Sequence, residues 1–311
     1  MPLPEQFTDL ARRVNNWGRW GPRDERGTLN LITGERVVHA ASLIRTGRRF
    51  PLAVPLDEDG PQIGMIEGRD NPKRTMIMVN AQALGQEHAF RTSDDRVEMG
   101  LQAGTHWDAL AHVSYEGRLY NGFDASEITE AGAAHCGIDK AGPIVGRGVL
   151  LDVARTLGVP RLGDATHGHA LTVADLDAAA EFGKVEIRPG DIVLIRTGAM
   201  TALKAGDKLA YSYPTSGPSM QTVPWFHAHD VAAVAADNVA FEVYPPERDD
   251  AQLPVHLLHL VEMGMLQGQN WDLEALAEDC AADGVYEFFL TASPEPFTRA
   301  VGAPVIPVAV K

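Results

Sequence analysis

Short apolar runs without polar alternation constrain the fold of this chain more than any other feature. One run covers residues 148–153, and another lies between Gly190 and Gly198. A third covers residues 75–79. Runs of this length are typical of strands that are covered on both faces, as in sheets that carry helices on each side. We therefore expect a layered α/β domain with buried strands.

Helix signals lie between these runs. Thr172 is followed three positions later by Asp175, which is the spacing of a capping box and predicts a helix over residues 172–182. Residues 223–233 and 273–280 are further helix candidates. Strands and helices mix irregularly along the chain, without an internal repeat or a low-complexity linker. This order favours a single α/β domain with several antiparallel strand pairings.

The two ends of the chain differ in character. Residues 11–35 are rich in turn residues and tryptophan, so we predict that residues 1–35 form an irregular arm packed on the body. Residues 36–311 then form that body. The tail over residues 304–310 is predicted as a terminal strand, and Pro307 favours a sheet edge because proline cannot donate a hydrogen bond to a strand ladder.

Composition and charge argue against several classes of protein. Hydrophobic residues make up 45% of the 311 residues and charged residues 22%, which is ordinary globular usage and unlike a disordered chain. The formal net charge of −15 repels phosphate backbones and anionic lipids, so we expect neither a nucleic-acid nor a membrane partner. The two cysteines are too few for a disulfide framework. The absence of a secretory signal and of an apolar stretch of about 18 residues favours a cytoplasmic location.

The pattern with the most chemical meaning lies in residues 104–112. His106 and Asp108 are separated by one residue, so their side chains point to the same face of an extended segment. An imidazole nitrogen and a carboxylate oxygen on one face can bind a divalent cation such as Zn²⁺ or Mn²⁺. His112 follows four residues after Asp108, where a general base beside the cation is wanted. Spacing of this kind is common by chance and does not by itself establish a metal site.

The same residues resemble the signature of the metal-dependent cyclase family, which includes bacterial kynurenine formamidase and isatin hydrolase. The signature has the form His-x-Gly-Thr-His-x-Asp-x-x-x-His, and it is matched in register by Gly104, Thr105, His106, Asp108 and His112. Gln102 stands where the first histidine is expected. Further similarity to the family extends over most of the chain, in residues 16–33, 108–122, 190–198, 236–242 and 254–256.

The resemblance implies a swivelling β/β/α-type single domain with a mixed sheet, in which residues 36–311 are the cyclase-like catalytic domain. It also implies hydrolysis, by metal-activated water, of a cyclic amide or a related amide or ester bond in a small, cyclic or aromatic substrate. By the same resemblance, His106, Asp108 and Gln221 fall on metal-ligand positions and His112 on that of the catalytic histidine. A homodimer or homotetramer is a further implication.

Two of the expected ligands are amides in this chain, Gln102 and Gln221. A neutral carbonyl oxygen is a weaker donor than a carboxylate and harder than an imidazole, so we predict one divalent metal per chain, with Mn²⁺ favoured over Zn²⁺. Gln102 and His256 are also candidates to contact the metal or to support its ligands. For His256, which lies in an apolar helix-like run, core packing is the alternative.

Aromatic side chains supply weaker candidates for substrate contact. Trp107, Tyr213 and Trp225 can form apolar walls for an aromatic or cyclic substrate. Burial without ligand contact is the alternative for each of them.

Two other functions remain open at this stage. The first is a non-catalytic binding member of the family, whose glutamines have degraded the metal site. The second is a metal-dependent lyase or dehydratase on the same fold, which uses the cation as a Lewis acid. The retained His106, Asp108 and His112 argue against the first. Incorporation of ¹⁸O from water into the product separates hydrolysis from the second.

Overall fold

The computed structural model of the chain describes residues 3–85, 89–248 and 250–311. Its helices are α1 (Glu5–Val14), α2 (Gly34–Ala41), α3 (Val153–Thr156), α4 (Val173–Gly183), α5 (Met200–Lys204), α6 (Lys208–Ser212), α7 (Val223–Ala228), α8 (Pro254–His256) and α9 (Glu274–Asp283). A π-helix, Leu257–Met263, continues α8. Shorter 3₁₀ turns include Gly27–Leu31 and Met220–Thr222.

The strands are β1 (Arg49–Pro51), β2 (Lys73–Ala81), β3 (Thr92–Glu98), β4 (His106–Asp108), β5 (Ile128–Thr129), β6 (Gly132–Ala133), β7 (Val145–Asp152), β8 (Ala170–Leu171), β9 (Ile192–Arg196), β10 (Gly217–Pro218), β11 (Ala233–Ala236), β12 (Leu266–Gln269), β13 (Glu287–Thr291), β14 (Gly302–Pro304) and β15 (Val308–Val310). In the described residues, nine of them form one mixed sheet in the order β1-β15-β13-β7-β9-β11-β12-β4-β14. The central strands β7, β9, β11 and β12 are parallel, and those outside them are antiparallel to their neighbours.

Both faces of the central strands are buried. On β9, Ile192 and Leu194 face one apolar core, whereas Val193 and Ile195 face the other. Successive side chains point to opposite faces of a strand, so an unbroken apolar run fills both layers. The predictions for residues 148–153 and 190–198, and that of a mixed α/β domain, are therefore confirmed.

The predicted helices form, with one difference in length. Thr172 caps α4 through the Asp175 backbone N–H, and the Asp175 side chain accepts from the Thr172 backbone N–H, as in a capping box. The predicted helix over residues 223–233 ends at Ala228, because the chain turns at Asp230, where φ is 52°, and enters β11. The helix predicted over residues 273–280 is α9.

Two predicted strands form, but their predicted places in the fold are wrong. Residues 75–79 lie in β2, which pairs only with β3 as a separate two-stranded ribbon among the described residues, so Met76, Ile77 and Val79 are exposed rather than covered on both faces. The terminal strand β15 lies between β1 and β13 and is not at the edge. Pro307 precedes β15, and its carbonyl accepts a hydrogen bond of 2.8 Å from the Leu52 N–H, so its missing donor breaks no ladder bond within the strand.

The predicted arm over residues 1–35 is less irregular than expected, since it contains α1 and a 3₁₀ turn. Its first two residues lie outside the described residues. Trp17 Nε1 donates to the Val261 carbonyl at 2.8 Å, and the Asn16 N–H donates to the Glu262 carbonyl at 2.9 Å. These bonds hold the arm against the π-helix.

None of the helices within the described ranges has the length and apolar character needed to span a bilayer.

Candidate metal centre

Strand β4 carries the candidate site and is held between two antiparallel neighbours. In its register with β12, Asp108 lies opposite Gln267 and His106 lies opposite Gln269. Directly opposed residues of an antiparallel pair share a face of the sheet. The four polar side chains therefore point to one side. Trp107, between the two candidate ligands, points to the other side and packs in the core.

The residues before β4 fix the orientation of the His106 ring. The Gly104 carbonyl accepts from His106 Nδ1 at 2.8 Å and from Asn270 Nδ2 at 2.9 Å. A side chain at position 104 would meet Leu56, whose Cδ2 would lie 2.8 Å from an added Cβ. Because Nδ1 carries the proton in this bond, a neutral His106 ring presents the lone pair of Nε2 towards Asp108.

Three histidine rings surround the carboxylate of Asp108. His106 Nε2 lies 3.5 Å and His112 Nε2 lies 3.7 Å from Asp108 Oδ1. His256 Nε2 lies 3.9 Å from the other oxygen, Oδ2. Gln269 Nε2 donates to Oδ2 at 2.7 Å, whereas Oδ1 is buried and has no hydrogen-bond partner within the described residues. A buried acceptor without a partner is costly and needs an explanation.

The electrostatics of the cluster favour an ionised Asp108 carboxylate and oppose protonation of His112. Burial raises the pKa of the Asp108 carboxyl, but the nearby rings of His112, His106 and His256 lower it more, so its pKa lies well below the usual range. Burial lowers the pKa of His112, although the charge of Asp108 opposes this shift. Near neutral pH the site therefore holds an anion and a His112 ring that can accept a proton.

Glu242 holds the His256 ring in place. Its Oε1 accepts from His256 Nδ1 at 2.6 Å and from the His256 backbone N–H at 2.8 Å, while its Oε2 accepts from the Val255 N–H at 3.0 Å. The carboxylate thus caps the start of α8 and also fixes the ring. A carboxylate on one imidazole nitrogen commonly orients the other nitrogen towards a metal ion. Here that other nitrogen, Nε2, faces Asp108.

The donor atoms fit one divalent cation. Tetrahedral coordination with bonds of about 2.1 Å places neighbouring ligand atoms about 3.4 Å apart. The separation of 3.5 Å from Asp108 Oδ1 to His106 Nε2 is close to this value, and His112 Nε2 lies 3.7 Å from the same oxygen. Gln269 Oε1, buried and without a partner in the described residues, is a further oxygen donor beside them.

The same residues do not form a larger centre. In residues 3–85, 89–248 and 250–311, no three histidine, cysteine, aspartate or glutamate side chains are arranged to hold one ion together. His256 approaches the oxygen of Asp108 that Gln269 already binds. The arrangement brings His106 Nε2 and Asp108 Oδ1 together, with the Gln269 amide next to the carboxylate.

The two glutamines predicted from the sequence lie in different places. A Cβ added to Gly302, which is paired with Asp108 in the sheet, would lie 2.6 Å from Gln102 Nε2, so Gln102 lies beside the cluster. Gln221 is exposed at the centre of the turn Met220–Thr222, whose other two side chains are buried. No hydrogen bond or ion pair in the described part of the chain joins Gln221 to His106 or Asp108.

The three aromatic candidates also lie in different parts of the fold. Trp107 is fully buried against Trp271, with ring centroids 4.9 Å apart, and does not line the site. Trp225 is buried in the other core, where its Nε1 donates to Asp177. Tyr213 alone is substantially exposed. Core packing explains the first two residues without a ligand.

Sequence reasoning missed Gln269 and assigned no role to Glu242. Gln267 and Gln269 alternate with Gly268 in a short strand that is buried throughout, and this period-two polar pattern was an available signal. Glu242 gave no local signal, because its partners are backbone and ring nitrogens of residues 13 and 14 positions further along the chain.

Comparison with known proteins places this chain in a family. The model of the family described as putative cyclase matches residues 50–243, and the chain therefore belongs to the putative cyclase family. A solved structure described as a novel cyclase is 41% identical, covers 96% of this chain and 100% of its own, and has a TM-score of 0.86. No curated protein matches the chain.

More distant solved structures share the fold. Isatin hydrolase A from Ralstonia solanacearum is 20% identical, with 85% of this chain and 92% of that chain covered and a TM-score of 0.60. Isatin hydrolase A from Labrenzia aggregata, bound to benzyl benzoate, is 18% identical, with 89% and 98% covered and a TM-score of 0.63.

Proposed function

We propose that this chain is a metal-dependent hydrolase that opens a cyclic amide or cleaves a related amide or ester bond of a small, cyclic or aromatic substrate. The observation that carries the proposal is the buried Asp108 Oδ1, which has no hydrogen-bond partner within the described residues and lies 3.5 and 3.7 Å from two imidazole nitrogens. A cation between Asp108 Oδ1 and His106 Nε2 would satisfy both atoms, with the His112 ring beside it. Hydrolysis is the activity named for the isatin hydrolases that share the fold.

The cation is held by His106 and Asp108, with amide oxygen from glutamine completing the set. When bound, a divalent cation lowers the pKa of water and polarises a substrate carbonyl. Gln269 fixes the Asp108 carboxylate through Oδ2, which leaves Oδ1 for the cation. Because the supplementary donors are neutral oxygens, we propose one ion per chain, with Mn²⁺ favoured over Zn²⁺. The exposed Gln221 is left out of this ligand set.

His112 moves the proton in the proposed reaction. Its side chain is 19% exposed, more than those of Asp108 and His106, so it is the member of the cluster open to a substrate. Its lowered pKa keeps Nε2 able to accept a proton near neutral pH. His256, fixed by Glu242, lines the opposite side of the carboxylate and is assigned a positioning role.

Metal analysis and matched histidine variants test the proposal. We expect about one equivalent of Mn²⁺ in protein purified without chelators, and its loss in Asp108→Asn. His112→Ala should keep the metal but lower kcat by about 100- to 10,000-fold, as expected when a general base is removed. His167→Ala, with a side chain that is 83% exposed, is the control and should change neither quantity. Two equivalents of metal, or none, would contradict the proposal.

Isotope incorporation tests the reaction class. In H₂¹⁸O, hydrolysis of a panel of lactams, lactones and aryl formamides should place one ¹⁸O in each carboxylic acid or formate product, as detected by mass spectrometry. Turnover without incorporation would support the lyase or dehydratase instead. A chain that binds metal but turns over no member of the panel would support the non-catalytic alternative.

A further inference from the structure

A second group of unpartnered polar atoms lies in an apolar cavity next to the candidate metal centre. The cavity has a volume of about 260 Å³, and its walls are mainly apolar, including Ile63, Ile66 and Val239. Its polar lining includes Arg69 and Ser212, together with Gln62, Thr215 and Tyr244. A mostly apolar cavity with a few polar groups is the usual form of a small-molecule site.

The cavity walls and the metal centre are built from the same segments. Leu253 lines the cavity three residues before His256, and Tyr244 lines it two residues after Glu242. Gln62, on another wall, donates from Nε2 to the Ala103 carbonyl at 2.9 Å, immediately before the segment that leads into β4. A molecule in this cavity therefore lies beside the cluster rather than at a separate site.

Arg69 is the group that defines the chemistry of the cavity. It is partly buried, and within the described residues its guanidinium makes no hydrogen bond or ion pair. Burial lowers the pKa of Arg69, while the Asp108 carboxylate raises it, so the two charges are within electrostatic reach of one another. The chain has a net charge of −15, so acidic partners for a guanidinium are plentiful. A partly desolvated guanidinium that pairs with none of them is therefore unusual.

Ser212 supplies an independent observation. It is the last residue of α6, only 3% exposed, and its Oγ has no hydrogen-bond partner in the described part of the chain. A buried hydroxyl normally finds a partner, so this atom is a donor available to a ligand in the cavity.

We propose that this cavity binds the substrate, and that Arg69 and Ser212 recognise a carboxylate carried by an apolar ring system. This inference rests on the proposed function for its use of the neighbouring metal centre. The planar guanidinium matches a carboxylate in a two-point contact, and the Ser212 hydroxyl donates a further hydrogen bond. The apolar walls accept the ring. The substrate class is thus a cyclic or aromatic amide or ester that bears a carboxylate away from the bond to be cleaved.

Ligand binding tests this without requiring turnover. The probes are indole-2-carboxylate and the isosteric indole-2-carboxamide, measured by calorimetry with the full chain, once with added Mn²⁺ and once with chelator. We expect Arg69→Gln to weaken binding of the carboxylate probe by about 10- to 100-fold and binding of the carboxamide probe by much less. Ser212→Ala should weaken binding of the carboxylate probe by a smaller factor. Arg13→Gln, at an exposed position on α1, is the charge-matched control and should leave both affinities unchanged.

The chelator arm separates this proposal from the proposed function. Carboxylate binding that depends on Arg69 and persists in chelator supports the cavity even if the metal or hydrolysis prediction fails. Carboxylate binding that disappears with the metal and is indifferent to Arg69→Gln would overturn the proposal. Equal loss of the acid and the amide in Arg69→Gln would also overturn it, since Arg69 would then only shape the cavity.

Discussion

Asp237 follows β11 as a fully buried carboxylate outside the metal cluster. Its Oδ1 accepts from the backbone N–H and the hydroxyl of Thr197, and its Oδ2 accepts from the Gly198 N–H. Burial raises the pKa of Asp237 to about 6, although these hydrogen bonds oppose the shift. The loop after β9 is thus tied to β11 by a group that titrates in a mildly acidic range.

The raised pKa predicts a pH dependence of folding stability. The native state keeps the proton of Asp237 up to about pH 6, whereas the unfolded chain releases it near pH 4, so the native state binds more protons between these values. The stabilising contribution is therefore complete below about pH 4 and is lost as pH rises through 6. The unfolding free energy of wild type relative to Asp237→Asn should fall by up to about 3 kcal/mol over this window.

Urea denaturation of both proteins at intervals of pH measures this difference. Asp94→Asn, at an exposed position on β3, controls for the loss of one negative charge. A difference between wild type and Asp237→Asn that stays flat, or that rises with pH, would contradict the expected linkage.

The site was predictable only where it depends on local spacing. His106 and Asp108 were identified as one-face neighbours because the alternation of a strand guarantees it. Gln269, which binds Asp108, lies 161 residues away along the chain, and only the register between strands brings it there. Arg69 has no local pattern, since its role arises from the cavity around it.

At the scale of elements, the close approach of β4, β11 and β12 depends on a glycine. A Cβ added to Gly268 on β12 would lie 2.6 Å from Trp271 Nε1, 2.8 Å from the Cβ of Ala235 and 3.1 Å from Trp107 Cε3. The glycine therefore makes room for the two packed indoles behind the candidate site.

Substitution of this glycine tests the packing of the three strands. Gly268→Ala should lower the free energy of unfolding by about 1–3 kcal/mol, because the extra methyl overpacks the core. Gly34→Ala is the matched control, since a Cβ there meets no atom within 4 Å and the residue begins α2. This control should be neutral or stabilising by up to about 1 kcal/mol. Equal effects of the two substitutions in thermal unfolding would contradict the packing described.

The sequence patterns predicted which segments form strands better than they predicted what packs against those strands. The runs at residues 148–153 and 190–198 became buried strands because their length and composition require cover on both faces. The run at residues 75–79 has a similar composition but belongs to the exposed ribbon. The residues within the runs do not distinguish the buried strands from the exposed one. The residues that bury a strand come from elsewhere in the chain or from another chain.

At the scale of the whole molecule, the ribbon of β2 and β3 is an exposed apolar surface. Met76, Ile77, Val79 and Val97 are largely exposed on it. In the described residues each strand pairs only with the other, which leaves an open edge on both. Two-stranded ribbons are marginal alone, and open edges invite a further strand. We propose a second copy of this chain as the occupant, in agreement with the homodimer or homotetramer expected from the family resemblance.

Sedimentation velocity tests the assembly. Wild type should sediment as a dimer or tetramer, and the double substitution Ile77→Lys, Val79→Lys should shift it towards monomer, because two charges would be buried at the contact. Val38→Lys, at a comparably exposed apolar residue on α2, is the control and should not alter the assembly. A wild-type protein that stays monomeric at micromolar concentrations would contradict the proposal.

The position of β4 between β12 and β14 also determines when, during synthesis of the chain, the candidate site can form. Its neighbours are supplied by residues 266–269 and 302–304, so neither flank of the ligand-bearing strand exists until most of the chain has been synthesised. Contacts of such long sequence separation form late, after the loop between them has been closed. A ribosome-bound chain that has passed residue 112 therefore carries His106 and Asp108 for more than half of its synthesis without the strands that align them. The proposed cation site is therefore complete only after residues 302–304 have joined the sheet.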